Sequence, residues 1–329
     1  MNITFNKIHT QKKQEFLKEM MNKVNEEVCK IENLNVKLLE CPVCSSRKIE
    51  DYVRAYKFDM SKCSSCELIF CNPYPNDAQL YHYYNSDMKS FENEFFKQSF
   101  DARVELFKPR VELIKQYNKR GKLLDIGSAI GIFTEALTRS DILLDVTCCD
   151  ISKEACEELK IKYPTYEIIN DDFLNIGITD KYDTISMWDT IEHIVDSNTL
   201  LKKIYELLAD KGIFIFSTPN TNSFEWDIAK KNHVQLLPPG HVNLMNEKNI
   251  RILLDNNNLE IVDTYTLNAS LDITYVKKLI ETNKIDENTI GGYLKGKLFD
   301  EKFVQIFEKY LIDTKQAGNI VVVARKKCV

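Results

Sequence analysis

The sequence has no long apolar run. Its longest, such as GIFIF at Gly212–Phe216, are far too short to cross a bilayer. The opening residues, MNITFNKIHTQKKQEF, lack the apolar h-region of a secretory leader. A reducing, cytoplasmic setting is therefore expected, and ten cysteines there read as free thiols or metal ligands rather than disulfides. A basic excess is missing too. Lys and Arg number 44 against 49 Asp and Glu, and the net charge of −5 argues against broad binding to a phosphate backbone. There is no internal repeat and no low-complexity tract. Histidine is scarce, with five in 329 residues, so a histidine base has few candidates. What remains is an ordinary composition: 44% hydrophobic, 28% charged, mean hydropathy −0.31. The chain is long enough for a full core and a small extra module.

Texture divides the chain. Residues 1–40 read as a polar helical extension with Phe16, Leu17, Met20, Met21, Val24 and Val28 on one face. Residues 41–75 carry the cysteines and close on the breakers Asn72-Pro73-Tyr74-Pro75. Residues 76–120 read as aromatic-rich helices, a connector or lid. From 121 to 329, strands alternate with helices. The strands expected are 122–126, 145–151, 166–170, 182–188, 212–218, 259–267 and 319–326. Ser152 is the expected N-cap of one helix, and another is expected to run from an N-cap at Ser197 to a C′ glycine at Gly212. Short β-branched strands separated by helices predict an α/β fold, a mostly parallel sheet covered on both faces. Two stretches, 219–245 and 268–316, interrupt the rhythm as insertions of the kind that build lids or substrate sites.

Cys41 and Cys44 form one CxxC pair. After 18 intervening residues, Cys63 and Cys66 form a second. That is the spacing of a four-thiolate zinc site on two knuckles closed by a β-ribbon. A redox CxxC would use one pair, opening a helix after a strand, and that context is absent. Four protein ligands leave no open coordination position, so the metal is expected to be structural. Cys71 reads as an unneeded fifth thiol, and Cys148 and Cys149 as core residues.

The chemistry begins at LLDIGSAIGIF, Leu123–Phe133. A strand ends in Asp125 and passes through Gly127, Ser128, Ala129 and Gly131 into a helix. This is the first strand-to-helix turn, where doubly wound sheets bind nucleotides. Asp150 ends the next strand, placed to accept hydrogen bonds from a ribose diol. NDDF (Asn170–Phe173) follows the third strand, and MWDTIEHI (Met187–Ile194) the fourth. Each acid alone reads as a helix cap and each aromatic as core. Their succession at the carboxyl ends of strands points to one site.

Together these residues resemble the class I S-adenosylmethionine-dependent methyltransferases, over about 76–267 and the last strand. DIGSAIG is similar to their D-x-G-x-G-x-G loop, departing at Ala129. WDTIEHIVD and IFIFSTPNTNS…PPGHVNLMN resemble the quinone O-methyltransferase subgroup. Members with a cysteine ribbon in front are similar to enzymes of surface-sugar or secondary-metabolite pathways. The resemblance implies a seven-stranded Rossmann-like sheet with its last strand antiparallel. It implies that Gly127–Gly131 lie against the methionine part of S-adenosylmethionine, Asp150 holds the ribose and Ile151 packs on adenine. Asp172 and Phe173 would flank the adenine amine, and Trp188 and Asp189 would line the pocket near the sulfonium. Tyr84, in a cluster with Tyr81 and Tyr83, would close over the cofactor or simply pack its helix.

Methyl transfer needs alignment of the acceptor and, for an oxygen acceptor, a general base. His241 is the first candidate, because the resembling enzymes place an acidic-His pair in that segment. Here Gly240 precedes it. His193, beside Glu192, is the second. His233 ranks lower, His82 sits among tyrosines, and His9 has no claim. The expected function is O-methylation of a small metabolite such as a sugar or sugar nucleotide. Alternatives are methylation of a lipid-like quinone precursor, a zinc-ribbon nucleic-acid binder or modifier, a non-catalytic scaffold with the same fold, and a dehydrogenase. The oligomeric state stays open.

Overall fold

Two faces of alternating side chains explain the main sheet. Along Ile213–Phe216, Ile213 and Ile215 join one core while Phe214 and Phe216 join the other. Along Ile320–Ala324, Val321 and Val323 face the first, and Ile320, Val322 and Ala324 the second. A period of two with apolar residues on both sides is what a strand covered on both faces requires.

A computed structural model of the chain describes residues 11–267, 292, 296, 297 and 300–327, the side chains of 11–15 and 267 excepted. Helix α1 (Gln11–Val28) leads to a ribbon of β1 (Ile49–Ala55), β2 (Phe58–Cys63) and β3 (Ile69–Cys71). Three helices follow: α2 (Asp77–Tyr84), α3 (Asp87–Gln98) and α4 (Phe100–Tyr117). The large sheet then alternates β4 (Arg120–Ile126), α5 (Ile132–Thr138), β5 (Leu143–Asp150), α6 (Lys153–Lys162), β6 (Glu167–Asn170) and β7 (Tyr182–Trp188). It continues through α7 (Ser197–Leu207), β8 (Leu208–Pro219), α8 (Phe224–Ala229), β9 (Asn243–Leu244), α9 (Glu247–Asn256) and β10 (Leu259–Leu267), and ends with α10 (Glu301–Asp313) and β11 (Asn319–Lys326).

The large sheet has seven strands in the order β10-β11-β8-β7-β4-β5-β6. The pairs β4–β5, β4–β7, β5–β6 and β7–β8 are parallel, and β11 runs antiparallel to both its neighbours. This is the Rossmann-like sheet with an antiparallel last strand. Strand order reverses about β4, so the carboxyl ends of β4, β5 and β7 share a crevice.

Two details differ from the sequence reading. The N-cap of α7 is Asp196, not Ser197; its carboxylate accepts from the Thr199 N–H at 3.0 Å and the Thr199 hydroxyl at 2.6 Å. A carboxylate one residue earlier takes the capping role and moves Ser197 into the first turn. Gly212 is not a C′ residue either, because α7 ends at Leu207 and Leu208 pairs with Tyr182 in the sheet. A Cβ at Gly212 would lie 2.9 Å from the Tyr182 carbonyl oxygen, so close strand packing explains the glycine. Ser152 does cap α6, accepting from the Ala155 N–H at 3.3 Å.

The ribbon is not a separate bead. Cys41, Cys63, Cys66, Leu68 and Phe70 are buried in the same core as β8, α7 and α9. Its sheet also gains a fourth strand from far along the chain, since Ile69 pairs with Leu244 and Phe70 with Asn243. The stretch at 219–245 therefore finishes in the ribbon. The stretch at 268–316 falls largely outside the described residues, apart from α10.

Candidate active site

Four turns at the carboxyl ends of strands build the first part of the site. Gly127 and Gly131 both have φ 78°, in the left-handed region. A Cβ on Gly127 would lie 2.5 Å from the Thr190 hydroxyl oxygen, and one on Gly131 2.5 Å from Leu159 Cδ2. Both glycines are thus required by backbone conformation and by close protein packing. Ala129 also has positive φ, 44°, although it carries a side chain. Ser128 closes the turn through its hydroxyl, which donates to the Asp125 carbonyl at 2.9 Å. Asp125 lies beneath the loop, 1% exposed, accepting from Ser186 Oγ at 2.7 Å. Burial pushes its carboxyl up to about 7.

Asp150 at the end of β5 reaches the loop. Its Oδ2 accepts from the Ala129 N–H at 2.8 Å and its Oδ1 from the Ser152 N–H at 2.8 Å. Burial raises its carboxyl above the ordinary carboxylate range, against those two hydrogen bonds. Ile151 beside it is 57% exposed, an apolar platform at the open end of the sheet. Asp172 caps its own turn, accepting from the Leu174 N–H at 3.0 Å and Asn175 Nδ2 at 3.1 Å. Phe173 is buried in the core, with Lys203 Nζ 5.1 Å from its ring centre. Trp188 packs with Phe133 at 5.1 Å and Phe107 at 6.3 Å between ring centres, and its buried Nε1 has no partner. Asp189 accepts from Ser217 Oγ at 2.9 Å and Asn319 Nδ2 at 2.6 Å.

The two candidate bases meet. The rings of His193 and His241 stand edge to face with centres 4.7 Å apart. His193 Nδ1 is 2.8 Å from the Gly240 carbonyl oxygen, and His241 Nδ1 is 2.9 Å from the Gln235 carbonyl oxygen. A carbonyl only accepts, so each Nδ1 carries a proton and each Nε2 is left as the basic nitrogen. Burial holds His193 well below the usual histidine range and brings His241 down to about 4. Both are neutral near pH 7. Neighbouring Glu192 is 1% exposed and accepts from Thr218 Oγ1 at 3.0 Å. Burial, with the charge of Asp189, lifts its carboxyl well above the ordinary range. A ligand atom from each of Glu192, His193 and His241 lies within 4.8 Å of the others.

Tyr84 sits with the histidines. Its hydroxyl is 3.1 Å from His193 Nδ1 and 3.5 Å from the Gly240 carbonyl oxygen. Tyr83 is buried against Gly240, and Tyr81 is 72% exposed. His233 is packed on Trp226 with ring centres 4.6 Å apart, and His82 lies 3.2 Å from Glu27 on α1. His9 lies outside the described residues. Charged groups that the sequence reading passed over also face this region: Lys89, Glu92, Arg103 and Arg110. Their signal was available. Arg103, Phe107, Arg110 and Ile114 follow the i, i+4, i+7, i+11 stripe of the inward face of α4, which puts two arginines where apolar residues are expected.

The cysteines form a second cluster. Cys41 and Cys66 Sγ are 3.5 Å apart, Cys44 and Cys63 Sγ 3.6 Å, and all four sulfurs lie within 4.8 Å of one another. The two turns share one pattern. Cys41 N–H donates to the Ser46 carbonyl and Cys63 N–H to the Leu68 carbonyl, each at 2.9 Å. Ser45 N–H returns to the Cys41 carbonyl and Glu67 N–H to the Cys63 carbonyl, with Ser45 and Glu67 both at positive φ. A hydrogen bond from Cys66 lowers the Cys41 thiol to about 5. Cys71 stands apart, its Sγ 3.4 Å from Met60 Sδ, and Cys148 and Cys149 are core residues.

A family model described as "Methyltransferase domain" matches residues 98–264, just over half of the chain. The chain belongs to that methyltransferase family. The match runs from the end of α3 to β10 and leaves the cysteine ribbon outside. Over 137 residues the chain is 26% identical to the carboxy-S-adenosyl-L-methionine synthase of Nautilia profundicola, covering 40% of this chain and 56% of that protein. Over 113 residues it is 30% identical to the ubiquinone biosynthesis O-methyltransferase of Proteus mirabilis, covering 32% of this chain and 44% of that protein. The chain spans about half the length of the curated relatives it matches. A solved S-adenosylmethionine-dependent methyltransferase from Clostridium acetobutylicum superimposes with a TM-score of 0.42 at 14% identity, covering 76% of this chain and 99% of that one. No helix among the described residues is long and apolar enough to cross a membrane.

Proposed function

We propose that the protein methylates an oxygen of a small metabolite, such as a sugar or sugar nucleotide, with S-adenosylmethionine as donor. The observation that carries this reading is the histidine pair. Two neutral imidazoles lie together near the carboxyl end of β7, each with Nδ1 tied to a carbonyl and Nε2 available as a base. Of the two, His241 is the base, because the Gly240 carbonyl tethers His193 to the segment that carries His241, a positioning arrangement. His241 Nε2 takes the proton of the acceptor hydroxyl, close to the Lys89–Glu92 ion pair, whose two charges act on the imidazole in opposite directions.

The residues present suit the donor. Asp150 keeps lone pairs beyond its two backbone hydrogen bonds and would hold the ribose diol. Exposed Ile151 would cover adenine, with Asp172 and Phe173 flanking the amine, and Asp125 and the turn Gly127–Gly131 would face the methionine part beside Trp188 and Asp189. Bound there, S-adenosylmethionine supplies a methyl group already activated on its sulfonium. The protein's own work is alignment and proton removal.

The cysteine quartet would hold a structural zinc. A tetrahedral ion 2.3 Å from each sulfur sets the sulfurs about 3.8 Å apart, close to the separations of 3.5 and 3.6 Å here. The 30% identity with a ubiquinone biosynthesis O-methyltransferase favours a second acceptor class, a lipid-like quinone precursor. The test incubates the protein with methyl-labelled S-adenosylmethionine and size-fractionated lysate from the source cells. Label in the small polar pool supports the first reading, and label in the lipid fraction selects the second. Label in nucleic acid overturns both acceptors.

A further inference from the structure

We propose that the acceptor is an anion whose carboxylate or phosphate group seats on Arg103. The inference rests on the methyl-transfer reading above and names the class of acceptor. Arg103 and Arg110 lie on the inward face of α4. Arg110 is 1% exposed; its Nη1 donates to the Leu106 carbonyl at 3.0 Å, and its buried Nε has no partner. Arg103 donates from Nε to Ser99 Oγ at 2.9 Å, lies with its guanidinium carbon 4.1 Å from the Phe96 ring centre, and leaves Nη2 buried without a partner.

The carboxylates nearby are already engaged. Glu92 pairs with Lys89 at 2.7 Å, and Asp189 accepts from Ser217 and Asn319. Among the described residues neither arginine forms an ion pair. Three cations, Lys89, Arg103 and Arg110, thus face the carboxylates of Glu92 and Asp189, and burial raises the Glu192 carboxyl well above the ordinary range. A chain with a net charge of −5 has gathered a positive excess at this one place. Burying a guanidinium donor without an acceptor is unfavourable. A planar fork with a free prong is matched by a carboxylate or phosphate. A neutral hydroxyl would satisfy the hydrogen bond but not the charge.

Position assigns this anion to the acceptor rather than to the donor's own carboxylate. Arg103 stacks on Phe96 of α3, one turn from Glu92, whose partner Lys89 lies 5.5 Å from the ring centre of Tyr84, the tyrosine that touches His193, and this puts Arg103 on the side of the histidine pair. Arg110 lies over Phe107 and Trp188, beside the helix that follows the glycine loop. Burial lowers Arg103 to about 10, against the charges of Glu92 and Asp189.

The test titrates inorganic phosphate, at constant ionic strength, into the full chain saturated with S-adenosylhomocysteine. Saturable binding is expected. Arg103→Gln should weaken it at least tenfold while changing S-adenosylhomocysteine affinity less than twofold. Arg103→Lys should fall between, keeping the charge but losing the fork. Three results overturn the proposal: no phosphate binding, binding that Arg103→Gln leaves unchanged, or a tenfold loss of S-adenosylhomocysteine affinity instead. If Arg103→Gln does not fold, Arg103→Lys decides, and unchanged phosphate affinity overturns. A wild-type chain that binds no S-adenosylhomocysteine overturns the methyl-transfer reading itself, and this inference with it.

Discussion

The cysteine quartet and the histidine pair are both clusters of potential ligand atoms, yet they are assembled in opposite ways. The cysteines are held by two short turns with the same hydrogen-bond pattern, each formed within six residues. The histidines come from segments 48 positions apart, and their orientation depends on carbonyls of Gly240 and Gln235. The first cluster is a local motif used twice. The second exists only once the sheet has formed and the chain after β8 has folded back across it. A local motif is suited to stability, and a long-range pair to a site whose geometry the whole fold controls.

The largest effect is expected from breaking the first cluster. Cys63→Ser, or a strong chelator, should cost ~4 kcal/mol or more, since zinc supplies on the order of 10 kcal/mol to small zinc modules. Thermal unfolding with zinc analysis measures it, and a metal-free chain of unchanged stability would remove zinc from the account. Activity should fall with stability, because the ribbon pairs with the strand that follows His241.

Breaking the second cluster should do the reverse. His241→Gln should lower kcat about 10²- to 10⁴-fold, the usual range for a general base, with little change in melting temperature. A larger loss from His193→Gln would exchange the roles of base and positioning residue.

The pH profile sharpens the contrast. The active base is neutral, and the folded His241 takes up its proton only near pH 4. The base-dependent limb of kcat/KM should therefore stay flat as pH falls through 6.5 and drop only as it approaches 4. A limb near 6.5 would mean that the imidazole is open to water. The smallest effect concerns the loop. Ala129→Gly relieves a positive φ and should stabilise the fold by up to ~1 kcal/mol, as read by denaturant midpoint.

The sheet was legible because its signal is local. Short apolar, β-branched runs announced β8 and β11, and Asp125, Asp150 and Asp189 stand at the carboxyl ends of β4, β5 and β7. The cysteine spacing was legible for the same reason. The cap of α7 was misread because Asp196 and Ser197 are both good caps, and the sequence does not say which backbone N–H is within reach. The contacts of Tyr84 were harder to see, since its partners His193 and Gly240 are 109 and 156 positions away. Arg103 and Arg110 were passed over although their spacing was visible, because a charged residue on a helix is ordinarily taken as solvated.

The two-residue strand Asn243–Leu244 ties these threads. Val242 contributes its carbonyl to the Cys71 N–H at 2.9 Å, directly after His241. A boundary drawn at residue 75 therefore cuts through a sheet, and a shortened chain beginning at 76 would leave the segment after the base without its neighbour. The ribbon is better pictured as a clamp than as an attachment: it is the part of the machine that keeps the tool from turning in its holder.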